Sequence, residues 1–416
     1  MKKIALFTAL LTLGLAVNAQ TLNVQSAMAD LKRGYLNKAK AAIDKACLHE
    51  DTKNDPKTWY YAALIYSQIG DQANKPKSKY KDLDPDWCRK AYEAALRCKE
   101  LDKNNEYANE NRNIFRYVGN DIYNRSIAAY NSGDYTQALA LAEEAIKVFN
   151  NAGDSDFANE SYFIAGLCCQ VMQDSEGVKK YFGPLVRKNK VSPEFAVHLP
   201  KIYNTMFALY KESGDTTNVL KTAERYVKMM PNDPNAELLL ADAYIWTGNN
   251  SKGIELANQA VENSKTLDAY PMILCAAAGI YEQAGDYATA EAKYKESAAI
   301  QPNQIQANYG MGIMIYNRAV DKVEAINKMI QGGDVSDDDY ALINRLTEES
   351  NGFFDQAIPY LRAAIAYIDG LGDEEQALNR QNLYNCLRTL NTCLIRLERY
   401  DEAQPVKARL DTFQAN

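Results

Sequence analysis

The stretch Leu274–Pro302, LCAAAGIYEQAGDYATAEAKYKESAAIQP, determines how the rest of the sequence is interpreted. In its first half, small and apolar residues recur at helical spacing: Leu274, Ala277, Ala278 and Tyr281. Gly285-Asp286 then indicates a tight turn, and the second half repeats the helical spacing with Ala290, Tyr294 and Ser297. The pattern predicts two antiparallel helices that approach closely through small side chains.

The same pattern, a helix, a tight turn and a second helix marked by small residues, recurs along most of the chain; we call it the repeat frame. Small or apolar residues mark the second helix of nine predicted pairs: Ala39, Ala91, Ala138, Val178, Val219, Gly253, Ala290, Ala357 and Ala403. This pattern resembles the tetratricopeptide repeat (TPR) family, and the resemblance implies an all-α fold, a right-handed superhelical solenoid of about nine helix pairs. Each pair would complete its hydrophobic core by packing against the neighbouring pairs.

Two segments interrupt the predicted frame. One is a polar loop over residues 72–86, which contains Pro76 and Pro85. The other is an extended helical hairpin over about 318–352, with a break at Gln331-Gly332-Gly333-Asp334. The sequence therefore predicts one continuous solenoid over residues 20–416 with two irregular insertions.

Residues 1–19 read as a cleaved signal peptide. Lys2 and Lys3 precede an apolar run from Ile4 to Val17, and Val17-Asn18-Ala19 suits signal peptidase. The apolar run is shorter than the ~20 residues that a transmembrane helix needs, although a retained membrane anchor is the alternative. The first cysteine, Cys47, is too distant for a lipoprotein anchor. We expect an exported chain, soluble in the periplasm or peripherally associated with the outer membrane.

Composition favours protein partners. The formal net charge is −7 and no long basic run is present, which argues against binding to nucleic acid. Tyrosine is unusually frequent, with 28 residues against 11 Phe and 3 Trp, and the repeat frame assigns most of these tyrosines to packing. We therefore expect other proteins or peptides as partners, with the oligomeric state left open.

Few residues suggest catalysis or metal binding. The two histidines, His49 and His198, lie between predicted repeats, where we expect them to be solvated. The eight cysteines leave buried free thiols and at least one disulfide as open alternatives, and no Cys-x2-Cys pair indicates zinc.

The acidic cluster of Asp334 and Asp337–Asp339 lacks the order of a calcium loop. It instead fits a helix start capped by Ser336, with Asp339 at capping-box spacing. From these residues the sequence predicts no enzyme, no cofactor and no metal.

The TPR resemblance implies that the first helices line a concave groove. Carried over position by position, it gives these candidate partner-binding residues: Tyr60, Leu64, Tyr123, Tyr130, Phe163, Asn204, Lys211, Leu238, Ile245, Trp246, Arg388 and Arg396. The wider set includes Gln68 and Asp242. Only Asn204 and Lys211 resemble the basic clamp by which some TPR domains hold a peptide carboxylate, and tight superhelical winding would bury part of the groove.

The function expected from these features is a non-enzymatic periplasmic scaffold or adaptor that mediates protein–protein interactions, in envelope or outer-membrane assembly. The alternative is a periplasmic or outer-membrane protein that binds a glycan or peptide ligand, because a groove rich in Tyr and Trp suits stacking on sugars. The third hypothesis is that the protein is an enzyme.

Overall fold

A computed structural model describes residues 23–153, 156–302, 305–332 and 336–414. The predicted signal peptide and Asp334 lie outside these residues. No strand occurs in the described ranges, so the predicted all-α class is confirmed. In chain order the helices are α1 (residues 23–32), α2 (Leu36–Leu48), α3 (Pro56–Ala73), α4 (Trp87–Leu101), α5 (Ala108–Asn131), α6 (Tyr135–Asn151), α7 (Asn159–Val171), α8 (Ser175–Val186), α9 (Pro193–Ala196), α10 (Leu199–Glu212), α11 (Thr216–Met229), α12 (Pro234–Trp246), α13 (Asn250–Ser264), α14 (Tyr270–Gln283), α15 (Tyr287–Ile300), α16 (Ile305–Gln331), α17 (Asp337–Asp369), α18 (Asp373–Leu378), α19 (Arg380–Arg396) and α20 (Tyr400–Gln414).

The chain divides into two compact units, Met1–Leu209 and Tyr210–Asn416. In the first unit, α3 pairs with α4, α5 with α6, and α7 with α8. In the second unit, α12 pairs with α13, α14 with α15, α16 with α17, and α19 with α20. The second helices α4 and α6 of the first unit, and α13, α15 and α17 of the second, also contact the next first helix, so the helix pairs of each unit are stacked in chain order. The single uninterrupted array predicted for residues 20–416 stays a prediction.

The Gly-Asp turns join the two helices of a pair by a repeated device. Gly285 has a φ of +83°, a left-handed conformation that glycine adopts without the steric cost of a Cβ atom. The next residue, Asp286, caps α15 by accepting a hydrogen bond from the backbone N–H of Thr289 at 3.1 Å. The same cap recurs at the starts of four other second helices, with the capping residues Asp134, Asp174, Asp215 and Asn249.

Glycines within the first helices allow large side chains of the second helices to approach. A Cβ atom on Gly166 of α7 would lie 2.1 Å from Cε1 of Phe182 on α8. At Gly70 of α3, the same atom would lie 2.3 Å from Cε3 of Trp87 on α4. The aromatic ring therefore occupies the volume that a side chain would fill, and the two helix backbones come close.

The predicted loop over residues 72–86 is shorter than expected, because α3 continues through Ala73. The turn segment that follows, residues 74–86, is held in place by the buried side chain of Asp84, which is 5% exposed. Its carboxylate lies 2.7 Å from Nζ of Lys90 and 3.4 Å from Nζ of Lys40, and it accepts a hydrogen bond from the backbone N–H of Asp86. The segment is thus tied to both α2 and α4.

The predicted hairpin is formed by α16 and α17, which end at Gln331 and begin at Asp337, on either side of the expected break. Ser336 caps α17 in a full capping box with Asp339, as the sequence predicts. Buried residues extend outward only to Ala319 and Ser350, where the Ser350 hydroxyl donates to the Ala319 carbonyl oxygen at 3.2 Å. Beyond this point the described side chains of both helices are half-buried or exposed.

The cysteines are all free thiols, and six of the eight are buried. The structure therefore favours the free-thiol alternative over a disulfide. Burial raises the pKa of Cys386 and of Cys393 to about 12, which keeps their reactive thiolate form scarce at neutral pH.

Substituting Gly166→Ala tests the close approach of α7 and α8. The new methyl group would collide with the fully buried Phe182 ring, so we expect a loss of about 1–3 kcal/mol in the free energy of unfolding. The control is Gly279→Ala in α14, where nothing lies within 4 Å of the added atom and we expect a gain of about 0.5–1 kcal/mol from helix propensity. Thermal and urea unfolding measure both. Equal effects of the two substitutions would contradict this packing.

Substituting Asp84→Asn tests the tie between the 74–86 segment and its flanking helices. Burial alone would raise the pKa of Asp84, but the hydrogen bonds from Lys90 and the Asp86 amide and the charges of both lysines together hold it below its usual value. Because the folded-state pKa is lowered, the stabilisation is present above pH ~4 and is lost as the pH falls below that value. We expect Asp84→Asn to cost about 1–3 kcal/mol at pH 7, and the difference from wild type to shrink at pH 3.

Urea unfolding at the two pH values measures the Asp84 contribution. The matched control is Asp82→Asn, because Asp82 is exposed on the same segment and its substitution should change stability by less than about 0.5 kcal/mol. A difference that is the same at pH 7 and pH 3 would contradict the ion-pair explanation.

Candidate functional site

The first helices of successive pairs contact one another directly. In the first unit α3 contacts α5, and α5 contacts α7; in the second unit α12 contacts α14, α14 contacts α16, and α16 contacts α19. We refer to the surface formed by these helices as the first-helix face of each unit. Ten of the twelve candidate partner-binding residues lie on these helices, and the other two, Asn204 and Lys211, lie on α10.

A cavity of about 340 Å³ lies between α3 and α5 on the first-helix face of the first unit. Two predicted residues, Tyr60 and Leu64, line it, together with Gln68 from the wider set. Its remaining lining residues are Ser67, Asp71, Glu110, Asn113, Ile114 and Tyr117. The structure therefore brings three predicted groove residues of α3 together at one site.

The sequence analysis missed the α5 side of this cavity, because its first candidate residue on this helix is Tyr123. The helix starts at Ala108, more than three turns earlier, and is 24 residues long. A signal was available, because Ile114, Val118 and Ile122 follow one another at four-residue spacing and are all buried.

A cluster of tyrosine rings adjoins the cavity at the start of α3. The Tyr60 and Tyr107 rings are stacked, with centroids 4.9 Å apart and an interplanar angle of 22°. The Tyr61 ring lies at the same distance from Tyr60, tilted by 59°. These contacts fix the Tyr60 ring at the cavity wall, since two neighbouring rings restrict its rotamers.

The electrostatic environment of the cavity is negative. Burial raises the pKa of the Tyr60 hydroxyl, and the charge of Glu110 contributes to that rise. At the other wall, burial raises the pKa of Tyr117 to about 12, with further contributions from the charges of Asp71 and Asp121. Each tyrosine therefore lies within the electrostatic field of a carboxylate.

The next groove candidates, Tyr123 and Phe163, are occupied by contacts within the protein. The Tyr123 hydroxyl donates a hydrogen bond to Glu160, and burial together with this carboxylate raises the Tyr123 pKa to about 12. Phe163 is buried and stacks on the His198 ring with centroids 4.2 Å apart. Nε2 of His198 lies 3.4 Å from the Glu160 carboxylate. His198 is thus half-buried and only partly solvated, because Phe163 and Phe195 pack against its ring.

Lys211, the predicted basic residue, forms an ion pair between neighbouring first helices. Its Nζ lies 2.8 and 2.9 Å from the two carboxylate oxygens of Asp242 on α12. Asn204, its expected partner in a carboxylate clamp, is exposed. Since Asp242 already neutralises the ammonium group, Lys211 is poorly suited to hold a peptide carboxylate.

The remaining candidates differ in their exposure. Leu238 and Ile245 of α12 are buried in the core of the second unit, and Ile245 fills the space beside Gly253 on α13. Trp246 is half-buried, as is Tyr130, whose ring lies edge-on to Tyr135. Arg388 and Arg396 are exposed on α19.

The helices form pairs joined by Gly-Asp or Gly-Asn turns, and the pairs are stacked in chain order with their first helices side by side. This arrangement defines tetratricopeptide repeats. The chain has a TPR-like fold. The predicted fold family is thus confirmed by the geometry of its repeats.

No protein-family model and no curated protein matches the sequence. Among solved structures, a tetratricopeptide repeat protein from Parabacteroides merdae ATCC 43184 is 13% identical over 65% of this chain and 98% of that chain, with a TM-score of 0.37. YrrB, a TPR protein with an unusual peptide-binding site, is 16% identical over 45% of this chain and 88% of that chain, with a TM-score of 0.33. PilW, a type IV pilus biogenesis factor, is 13% identical over 62% of this chain and 98% of that chain, with a TM-score of 0.27.

Within the described TPR-like repeats, no group of three or more His, Cys, Asp or Glu side chains is placed to hold a metal ion. None of the helices in the same residues combines the length and apolar character needed to cross a membrane.

Substituting Ile245→Ala tests whether this residue belongs to the core or to a binding surface. Because Ile245 is 8% exposed and packs beside Gly253, we expect the substitution to lower the free energy of unfolding by about 2–4 kcal/mol. The matched control is Ile300→Ala at the end of α15, where the isoleucine is 52% exposed and the expected loss is below about 0.5 kcal/mol. Hydrogen exchange of peptides from α12 and α13 reports the same difference locally. Wild-type stability of Ile245→Ala would place the residue on the surface.

Proposed function

We propose that this protein is a non-enzymatic adaptor, exported to the periplasm, that binds segments of other proteins on the first-helix face of its TPR-like repeats. The observation that carries the proposal is the cavity between α3 and α5, where predicted groove residues converge. We place its role in envelope or outer-membrane assembly on the basis of the signal-like residues 1–19.

The lining of the cavity suits an extended peptide segment. Leu64 and Ile114 offer apolar surface, and the Tyr60 ring offers a large rigid contact of the kind enriched where proteins bind one another. The amides of Gln68 and Asn113 each supply both hydrogen-bond donors and an acceptor, as the backbone of an extended segment requires. These side chains project from helices, so no loop has to be ordered on binding.

Photo-cross-linking tests this adaptor role. Replacing exposed Gln68 with p-benzoylphenylalanine places a photoreactive group at the cavity, and replacing exposed Lys147 of α6 places it on a second helix. We expect irradiation of intact cells to yield discrete adducts of higher mass from position 68 and none from position 147. Identical adducts from both positions, or none from either, would contradict binding on the first-helix face. Fractionation of the same cells tests export, which an uncleaved chain in the cytosol would disprove.

A further inference from the structure

The chemistry of the cavity between α3 and α5 also indicates what it selects. We infer that this cavity receives a cationic side chain, lysine or arginine, from the partner segment. The inference rests on the proposed function, because it specifies the side chain that an adaptor of this kind would bind. It is carried by the placement of apolar, aromatic and acidic groups around one cavity.

The middle of the cavity is apolar. Leu64 of α3 and Ile114 of α5 lie on opposite walls, and both are largely shielded from solvent. A lysine or arginine side chain has an aliphatic stem that packs on such surface while its charged end stays near polar groups. The middle of the cavity therefore matches the stem of the proposed side chain.

Both ends of the cavity carry a carboxylate. Glu110 lies in the first turn of α5 and acts electrostatically on Tyr60, near the start of α3. Asp71, near the end of α3, acts in the same way on Tyr117. Tyr60 and Asp71 are separated by about 16 Å along the helix, at 1.5 Å per residue. A cationic group entering from either end thus meets a carboxylate next to a tyrosine.

The acidic charge at the cavity is only partly compensated. Among the described residues that line it, none is Lys, Arg or His. Asp71 is paired with Lys75, whose Nζ lies 2.6 Å from its carboxylate. Glu110 is exposed to solvent at the cavity rim. An anionic partner side chain would be repelled here, whereas a cation would be attracted.

The tyrosine walls add a second preference for a cation. An ammonium or guanidinium group over the face of a tyrosine ring is attracted by its quadrupole. Tyr60 and Glu110 both line the cavity, as do Tyr117 and Asp71, so the ring and the charge act on the same group. A neutral apolar side chain of equal length would gain only the contact with Leu64 and Ile114.

Disulfide trapping at the cavity rim tests this preference directly. In Gln68→Cys, the new thiol lies one turn from Asp71 and can form mixed disulfides with small reagents. Native thiols interfere little, because six are buried and burial raises the pKa of the other two, Cys47 and Cys88, to about 12. The probes are cystamine, which leaves a cationic aminoethyl group, and 3,3′-dithiodipropionate, which leaves an anionic carboxyethyl group.

We expect the ratio of cationic to anionic adduct, measured by intact mass at fixed reductant, to be about fivefold higher for Gln68→Cys than for Gln137→Cys. Gln137 is exposed on α6 and provides the matched surface thiol. Adding Asp71→Asn and Glu110→Gln should remove the preference. Adding Glu374→Gln and Glu375→Gln on α18 removes two exposed charges elsewhere and should leave it unchanged.

Equal ratios at positions 68 and 137 would overturn the inference, as would a preference that survives neutralisation of Asp71 and Glu110. Either result together with discrete photo-cross-links from position 68 would leave the adaptor function intact and disprove only the cationic preference. Absence of both the cross-links and the preference would disprove both proposals.

Discussion

The contact between a glycine of one helix and an aromatic ring of its partner is the constraint on which the first unit depends. Trp87 lies over Gly70, Phe149 over Gly119 and Phe182 over Gly166, each within a distance that a Cβ atom would forbid. Such contacts set the separation of the two helices in a pair. Because the second helix covers that side of the first helix, the other sides remain for the helices of neighbouring pairs and for solvent. The first-helix face thus results from the close packing of the two helices within each pair.

The repeat frame was predictable from the sequence, because small residues and Gly-Asp turns act locally. Gly285 and Asp286 show why: a left-handed residue followed by a helix cap forms the same turn wherever it occurs. The capping box of Ser336 and Asp339 was predictable for the same reason. These features depend on neighbours in the chain, which the sequence displays directly.

Lateral contacts between first helices could not be predicted in the same way. Ile245 and Trp246 are adjacent, yet Ile245 faces Gly253 in the core and Trp246 is half-buried, since successive residues of a helix point about 100° apart. If the repeat frame is shifted by one position along the sequence, a core residue is assigned to the surface and its neighbour to the core. Glu110 and Tyr117 were missed because α5 extends beyond the repeat frame, so half of the cavity has no counterpart in the consensus pattern.

The first-helix faces of the two units use charge differently, and this difference argues for a specific role of the α3–α5 cavity. Between α10 and α12, the charges of Lys211 and Asp242 neutralise each other. Between α3 and α5, an acidic group at the rim faces solvent beside a tyrosine wall. Exposed charges cost little to maintain in water but add selectivity once a partner excludes the solvent. An acidic rim around an apolar cavity is therefore more useful for choosing a partner than for stabilising the fold.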